Sequence, residues 1–152
     1  NRPVILLGRS FGGSTVLAAA ADDEKVAGYI FWSTPVKLYE TFSGIVEEFD
    51  RLQAGEELEI KDEAGSFRLK PSFIEDFAHH DMKNYLQKLA AYPTLVIHGA
   101  ADEVVDPANA LYIYENTRHT ELHIISDADH RFTQYINERE DLTLNWLQRT
   151  FL

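Results

Sequence analysis

The chain has 152 residues, of which 45% are hydrophobic and 12% aromatic, so it holds enough apolar material for the core of about one domain. Its 25 acidic residues outnumber the 14 basic ones, and the net charge of −11 disfavours binding to nucleic acid or to an anionic membrane surface. The sequence contains no cysteine, which excludes disulfides, thiolate metal ligands and a cysteine nucleophile, and which fits a reducing, cytoplasmic compartment. No apolar run approaches the roughly 20 residues that a membrane span needs.

The first third of the chain has the pattern strand, helix, strand. Residues 3–7 form a continuous apolar run that stops at Gly8, which predicts a strand buried on both faces. Residues 14–21 are small, apolar and helix-forming, and Val26–Trp32 is a second apolar run. Two strands joined by a short helix predict a right-handed parallel unit.

Residues 37–90 differ in character because they contain charge clusters and no buried-strand run. The alternating segments 57–61 and 66–70 flank the turn residues 62–65 and predict a β-hairpin. Apolar residues at helical spacing predict two short helices: Phe73, Ile74 and Phe77 in one, and Tyr85, Leu86 and Leu89 in the other. We interpret 37–90 as a cap-like insertion within a single, incomplete domain over residues 1–152.

The parallel pattern resumes in the last third of the chain. Residues 94–98 and 122–125 predict two more strands, and Asp106-Pro107 has the residue types of a helix N-cap and first position. A closing helix has apolar residues along one side, namely Leu142, Trp146, Leu147 and Phe151.

The segment Gly8-Arg9-Ser10-Phe11-Gly12 matches the pattern Gly-x-Ser-x-Gly between a predicted strand and a predicted helix, which is the context of a nucleophile elbow. We expect the flanking glycines to let strand and helix approach without Cβ clashes. The Ser10 hydroxyl is then exposed beside a helix N-terminus, where developing negative charge is favoured. An ordinary turn or a phosphate-binding loop is the alternative, but this turn lacks Gly-x-Gly-x-x-Gly and Gly-Lys-Ser/Thr.

Two further residues are expected at the same edge of the sheet. Asp102 follows the strand at 94–98, and His130 follows the last predicted strand. Since the carboxyl ends of parallel strands share one edge, both lie near Ser10. His130 can then act as general base, with Asp102 orienting its imidazole. The alternatives are a solvated turn aspartate and a surface histidine.

Other polar residues nearby receive structural interpretations. Asp106 is better explained as a helix cap, and Glu103 is expected to point away from the site. His98 is expected to pack beneath the acid loop, which is the loop that holds Asp102. The run His79-His80-Asp81 suggests a metal site, but adjacent histidines on a helix diverge by about 100°. We therefore predict no metal and no organic cofactor.

Three segments together resemble the α/β-hydrolase superfamily: the elbow at Ser10, the strand at 94–98 with the loop that holds Asp102, and the run Asp127-Ala128-Asp129-His130. They follow the chain order of that fold, serine, aspartate, histidine. Within the superfamily, the chain is most similar to small bacterial serine esterases of the cinnamoyl/feruloyl type. The resemblance implies an α/β fold with a parallel sheet, flanking helices and an inserted cap, and a catalytic triad of Ser10, Asp102 and His130.

The resemblance also implies that the chain supplies what correspond to strands five to eight of that fold. We expect an upstream segment, a swapped segment or a second copy of the chain to supply the remaining strands and one of the two oxyanion donors. The other donor is the backbone N–H of Phe11.

The implied function is hydrolysis of a small-molecule carboxylic ester through an acyl-enzyme on Ser10. The aromatic residues expected to line an acyl or aryl pocket are Phe11, Tyr39, Phe42, Phe73 and Phe77. Two other functions remain open. One is a serine peptidase of the prolyl-oligopeptidase-like branch, and the other is a binding domain that uses the fold without the chemistry.

Overall fold

The secondary structure is that of a computed structural model, which describes residues 2–62 and 65–152. The elements in chain order are β1 (Val4–Arg9), α1 (Phe11–Ala20), β2 (Val26–Trp32), α2 (Leu38–Ile45), α3 (Phe49–Gln53), β3 (Leu58–Asp62), β4 (Gly65–Leu69), α4 (Ser72–Glu75), α5 (Met82–Lys88), β5 (Thr94–Gly99), α6 (Ala108–Glu115), β6 (Thr120–Ile125) and α7 (Ile136–Phe151). Two 3-10 segments, Asp76–His79 and Leu89–Ala91, follow α4 and α5.

The chain divides into two compact units. Unit 1 comprises Asn1–Val36 and Met82–Leu152, and unit 2 comprises Lys37–Asp81. Unit 2 begins where the predicted insertion begins, whereas α5, at the C-terminal end of the 37–90 stretch, belongs to unit 1. The role of this stretch as a cap stays a prediction.

Unit 1 contains a four-stranded parallel sheet in the order β1-β2-β5-β6. All four predicted strands are confirmed, and each begins or ends within two residues of its predicted bounds. Every residue of β5 is buried, as its continuous apolar sequence predicts for a central strand. The parallel order places the carboxyl ends of all four strands at one edge of the sheet.

Helices cover both faces of this sheet. On one face, α7 contributes Trp146 to a buried cluster with side chains from β2, β5, β6 and the following loop: Ile30, Leu95, Ile97, Ile125, Ala128 and Phe132. On the other face, the Tyr29 hydroxyl of β2 donates a hydrogen bond of 2.5 Å to the carbonyl of Ala20, at the end of α1. Residues 29 and 30 point to opposite faces because strand side chains alternate.

Helix α1 starts at Phe11, three residues before the predicted start at residue 14, because the elbow leads directly into the helix. Among the residues that the structure describes, no helix is both long and apolar enough to cross a membrane.

Unit 2 consists of the predicted hairpin and several short helices. Strands β3 and β4 pair antiparallel, with Leu58 opposite Leu69 and Ile60 opposite Phe67, which confirms the hairpin. Its turn was predicted at residues 62–65, of which 63 and 64 lie outside the described residues. The predicted helical segment with Phe73, Ile74 and Phe77 corresponds to α4 and the 3-10 segment after it. The other predicted segment corresponds to α5 and its 3-10 segment, which belong to unit 1.

Helices α2 and α3 were not predicted. Helices this short are marginal by propensity alone, so contacts with other parts of the fold decide whether they form. Here the rings of Tyr39 and Phe49 join α2 to α3 at a centroid distance of 5.3 Å, and Phe42 packs edge-on to Phe73 at 5.0 Å.

Candidate active site

Ser10 occupies the turn between β1 and α1 with φ 51° and ψ −133°. Residues other than glycine rarely adopt this backbone conformation, so the turn stores local strain. Its N–H donates to the carbonyl of Trp32 at 2.8 Å, and its carbonyl accepts the N–H of Gly13 at 2.9 Å. These bonds tie the serine to the end of β2 and to the first turn of α1.

The glycines around this turn differ in how closely other atoms approach them. A Cβ at Gly8 would overlap the backbone of Gly13, and a Cβ at Gly13 would overlap the side chain of Thr34. A Cβ at Gly12 would meet no atom of the described residues within 4 Å. The expectation that both glycines flanking Ser10 relieve a clash is correct for Gly8 and wrong for Gly12, because Gly13 is the residue that faces the strand.

His130 lies in the loop after β6 and contacts both other predicted site residues. Its Nε2 is 3.0 Å from the Ser10 Oγ. Its Nδ1 is 2.9 Å and 3.0 Å from the two carboxylate oxygens of Asp102. Since Nδ1 faces only acceptors on Asp102, it holds the proton of the neutral ring, and Nε2 is left to accept from the serine hydroxyl.

The loop that presents His130 has an unusual backbone. Asp127 and Phe132 both have positive φ, 58° and 57°, and the Phe132 side chain is fully buried. Asp129 accepts the N–H of Thr133 at 2.7 Å and its hydroxyl at 2.6 Å. These bonds from Thr133 hold the pKa of the Asp129 carboxyl below its ordinary value. Asp129 is thus a capping residue of the loop.

Asp102 has a fully buried side chain. Its Oδ1 accepts the N–H groups of Val104 at 2.9 Å and of Val105 at 2.8 Å, and its Oδ2 lies 3.1 Å from the Nε2 of His98. Burial by itself raises the pKa of this carboxyl, but the hydrogen bonds from His130, His98 and the two backbone N–H groups outweigh burial and hold the pKa well below its ordinary range. The group is therefore a carboxylate at neutral pH.

Glu103 was expected to point elsewhere, and this expectation is wrong. Its Oε2 accepts the backbone N–H of His130 at 3.1 Å, across 27 residues of sequence. The loop that holds Asp102 and Glu103 is folded so that both carboxylates contact His130. Nothing in the local sequence distinguishes Glu103 from an exposed turn residue, since its partner is a backbone group in another loop.

His98 lies at the acid loop, as expected, but it also contacts the carboxylate of Asp102. Its side chain is fully buried, and its Nε2 donates to the carbonyl of Val105 at 2.9 Å. The signal that could have identified it is a polar residue that ends an otherwise apolar buried strand, four positions before Asp102.

Arg139 of α7 packs between Trp32 at the end of β2 and Phe132 in the loop that holds His130, and no sequence pattern singles it out. Its guanidinium lies 4.0 Å from the ring centroid of Trp32 and 5.4 Å from that of Phe132, and the side chain is buried. Stacking of this kind stabilises a buried cation between aromatic rings.

The remaining predicted residues take the following positions. Asp106 accepts the N–H of Ala108 at 2.8 Å and so caps the start of α6, although the helix begins at Ala108, one residue later than predicted, with Pro107 at its N-cap position. Phe11 is the first residue of α1, so its backbone N–H belongs to the helix N-terminus that begins next to Ser10. Over residues 2–62 and 65–152, no group of three or more His, Asp or Glu is arranged to hold a metal ion. His80 instead pairs with Asp76 at 3.0 Å.

The parallel sheet with flanking helices and a serine turn after β1 defines the protein as an α/β-hydrolase. The model of the prolyl oligopeptidase family matches residues 1–152, and the chain belongs to this family. A comparison with curated proteins gives no match.

Solved structures support the same fold. The esterase domain of a Rhodothermus marinus protein has a TM-score of 0.74 at 22% identity, covering 99% of this chain and 62% of that one. Est1E from Butyrivibrio proteoclasticus, solved with ferulic acid bound, has a TM-score of 0.84 at 20% identity, covering 97% and 59%. Mouse alpha/beta hydrolase domain-containing protein 10 has a TM-score of 0.67 at 24% identity, covering 95% and 63%. The chain thus spans less than two thirds of the length of each of these proteins.

Proposed function

We propose that Ser10, His130 and Asp102 form the catalytic triad of a serine hydrolase that cleaves carboxylic esters. The observation that supports this is an unbroken chain of contacts, 3.0 Å from Ser10 Oγ to His130 Nε2 and 2.9 Å from His130 Nδ1 to Asp102. This geometry matches the roles of nucleophile, general base and orienting acid.

In the proposed reaction, the Ser10 oxygen attacks the ester carbonyl while Nε2 of His130 takes the hydroxyl proton. The imidazolium that forms is stabilised by the carboxylate of Asp102, which is ionised at neutral pH because its pKa is low. Collapse of the tetrahedral intermediate expels the alcohol, which receives the proton from His130. A water molecule, deprotonated by His130, then cleaves the acyl-serine bond and regenerates the enzyme.

The backbone N–H of Phe11 is the proposed donor to the oxyanion. It lies at the start of α1, where the helix dipole favours negative charge, and directly follows the nucleophile in sequence. Loss of a single oxyanion donor costs about 10²- to 10³-fold in rate in a serine hydrolase, so this group is expected to matter.

The proposed substrate is an ester with an apolar acyl or aryl group. The esterase domain and the ferulic acid complex among the structural neighbours favour the same substrate class.

The test is labelling of the full-length gene product with a fluorophosphonate, together with hydrolysis of p-nitrophenyl esters. Ser10→Ala should abolish labelling and lower kcat/KM by about 10⁴-fold or more. The matched control is Ser43→Ala, which removes an exposed serine hydroxyl in α2 and should leave both unchanged. Absence of labelling in the folded native protein would refute the triad and favour a non-catalytic binding domain.

Peptide hydrolysis is the second candidate, because the chain belongs to the prolyl oligopeptidase family. The two substrates require the same triad, so mutation of Ser10 does not separate them. Turnover of p-nitrophenyl and hydroxycinnamoyl esters should be compared with that of peptide amides. Exclusive turnover of amides would overturn the ester proposal and leave the triad intact.

A further inference from the structure

We propose that His98 is a positioning residue that holds the carboxylate of Asp102 in register with His130. The inference rests on the proposed function, since it gives His98 a role only if Asp102 orients the general base. His98 is outside the triad, and no step of the proposed reaction uses it.

The contacts of His98 show that it acts as a donor. Its Nε2 lies 2.9 Å from the carbonyl oxygen of Val105 and 3.1 Å from Oδ2 of Asp102. A carbonyl and a carboxylate can only accept, so Nε2 must carry a proton. Both acceptors belong to the loop that follows β5. The single N–H donates to the carbonyl of Val105 and is shared with Oδ2 of Asp102, the more distant acceptor.

The other ring nitrogen indicates that His98 is neutral. Its Nδ1 is buried and has no hydrogen-bond partner among residues 2–62 and 65–152. A proton on Nδ1 would be buried without an acceptor, which is unfavourable. The Nε2–H tautomer therefore supplies a donor to Asp102 without adding a positive charge that would compete with the His130 imidazolium.

The position of this donor limits how the carboxylate can rotate. Oδ1 is held by the N–H groups of Val104 and Val105, and Oδ2 is held by His98, while both oxygens lie within 3.0 Å of His130 Nδ1. Each oxygen thus has a second donor besides His130. Without His98, Oδ2 would be restrained by His130 alone, and the carboxylate could tilt about the bonds that Val104 and Val105 make to Oδ1.

The experiment compares three replacements of His98 in the full-length gene product. The amide nitrogen of His98→Gln reaches approximately the position of Nε2, that of His98→Asn reaches only the position of Nδ1, and His98→Leu fills space without a donor. We expect kcat per labelled active site of the Gln variant to stay within about 3-fold of the native value. The Asn and Leu variants should lose about 10- to 100-fold in kcat, with KM little changed. Counting active sites with fluorophosphonate removes any effect of misfolded protein.

A second measurement does not depend on activity. The His130 Nδ1 proton, bound to a carboxylate, should give a downfield proton NMR signal in the native protein and in the Gln variant. That signal should move upfield or broaden in the Asn and Leu variants. If the Asn and Leu variants keep the native signal and native kcat, or if all three variants lose kcat equally with the signal unchanged, His98 only fills space and the proposal is overturned. A native protein that shows the signal but neither labels nor turns over would instead refute the proposed function.

Discussion

At the scale of single residues, two consecutive carboxylates hold His130 by different groups. Asp102 is buried and holds the ring, whereas Glu103 holds the backbone N–H at 3.1 Å. If His130 is the general base, as proposed, its orientation depends on both its ring and its main chain, because a shift of about 1 Å in a catalytic group can cost 10²-fold in rate.

Replacing Glu103 should therefore affect catalysis more than binding. We expect Glu103→Ala to lower kcat about 3- to 10-fold with little change in KM, since a hydrogen bond to a charged acceptor contributes about 1.5–3 kcal/mol and Glu103 is partly solvated. Glu103→Gln keeps an acceptor oxygen and should retain most of the activity. Steady-state kinetics on an ester substrate measures this.

A control for the removal of negative charge is Glu115→Ala, on the exposed end of α6. It should leave kcat unchanged. Equal kcat for native protein and Glu103→Ala would show that the Glu103 contact has no part in holding His130.

At the scale of elements, Ser10 immediately precedes α1, so its position depends on where this helix lies. Tyr29 joins the helix to the sheet. Its hydroxyl donates to the carbonyl of Ala20 at 2.5 Å, and its ring packs edge-on to Tyr92 at a centroid distance of 5.8 Å. Burial raises the pKa of Tyr29 to about 12, with a smaller contribution from Tyr92.

Removing this hydroxyl should destabilise the fold. Tyr29→Phe is expected to lower the free energy of unfolding by about 1 kcal/mol at neutral pH, the usual value for one hydrogen bond. The raised pKa means that the folded state keeps a proton that the unfolded chain releases from about pH 10. The contribution is therefore complete below about pH 10 and is lost as the pH rises towards 12, so the stability advantage of the native protein over the variant should shrink and disappear within that range.

Urea denaturation at about pH 8 and pH 11 measures both effects. Tyr114→Phe, at a tyrosine that is 50% exposed on α6, is the control and should match the native protein at both pH values. A constant difference between native protein and Tyr29→Phe across this range would contradict the assigned environment of Tyr29.

A second contact between elements brings the loop that holds Asp102 close to the loop that holds His130. Gly99 ends β5, and a Cβ there would overlap the carbonyl oxygen of Ala128, two residues before His130. The absence of a side chain at this one position lets the loop that holds Asp102 approach the loop that holds His130.

At the scale of the whole molecule, the strand order leaves β1 at an edge of the sheet. Val4 and Leu7 of this strand are 49% and 44% exposed although its sequence is that of a buried strand. An apolar edge strand of this kind is a template for pairing with another strand. We propose that this edge takes further strands, either from a longer polypeptide or from a second copy of the chain.

The 152-residue chain by itself should consequently self-associate as its concentration rises. Val4→Lys should weaken the association, because a charged side chain on an edge strand opposes strand pairing. The control is Leu144→Lys, which places the same charge on an exposed apolar residue of α7, outside the sheet, where Leu144 is 56% exposed, and it should leave the association unchanged. Sedimentation at several concentrations measures the association, and a native chain that stays monomeric would contradict pairing of this edge with a second copy.

The sequence by itself determined the features that depend on local pattern. Continuous apolar runs predicted the four parallel strands, alternation predicted the hairpin, and motif spacing pointed to Ser10, Asp102 and His130. These signals are readable because burial on both faces of a sheet and the strand-to-helix turn each demand particular residue types over a few consecutive positions.

The tertiary structure alone decided how the site is supported. Ser10 and His130 are 120 residues apart, and the contacts of Glu103 and His98 depend on how two loops fold back on each other. The backbone of the loop that holds His130 has positive φ at Asp127 and Phe132, and the local preferences of aspartate and phenylalanine do not require this conformation. Short helices such as α2 and hydrogen bonds between distant loops are stabilised by packing across the fold, and local sequence preferences are too weak to specify them.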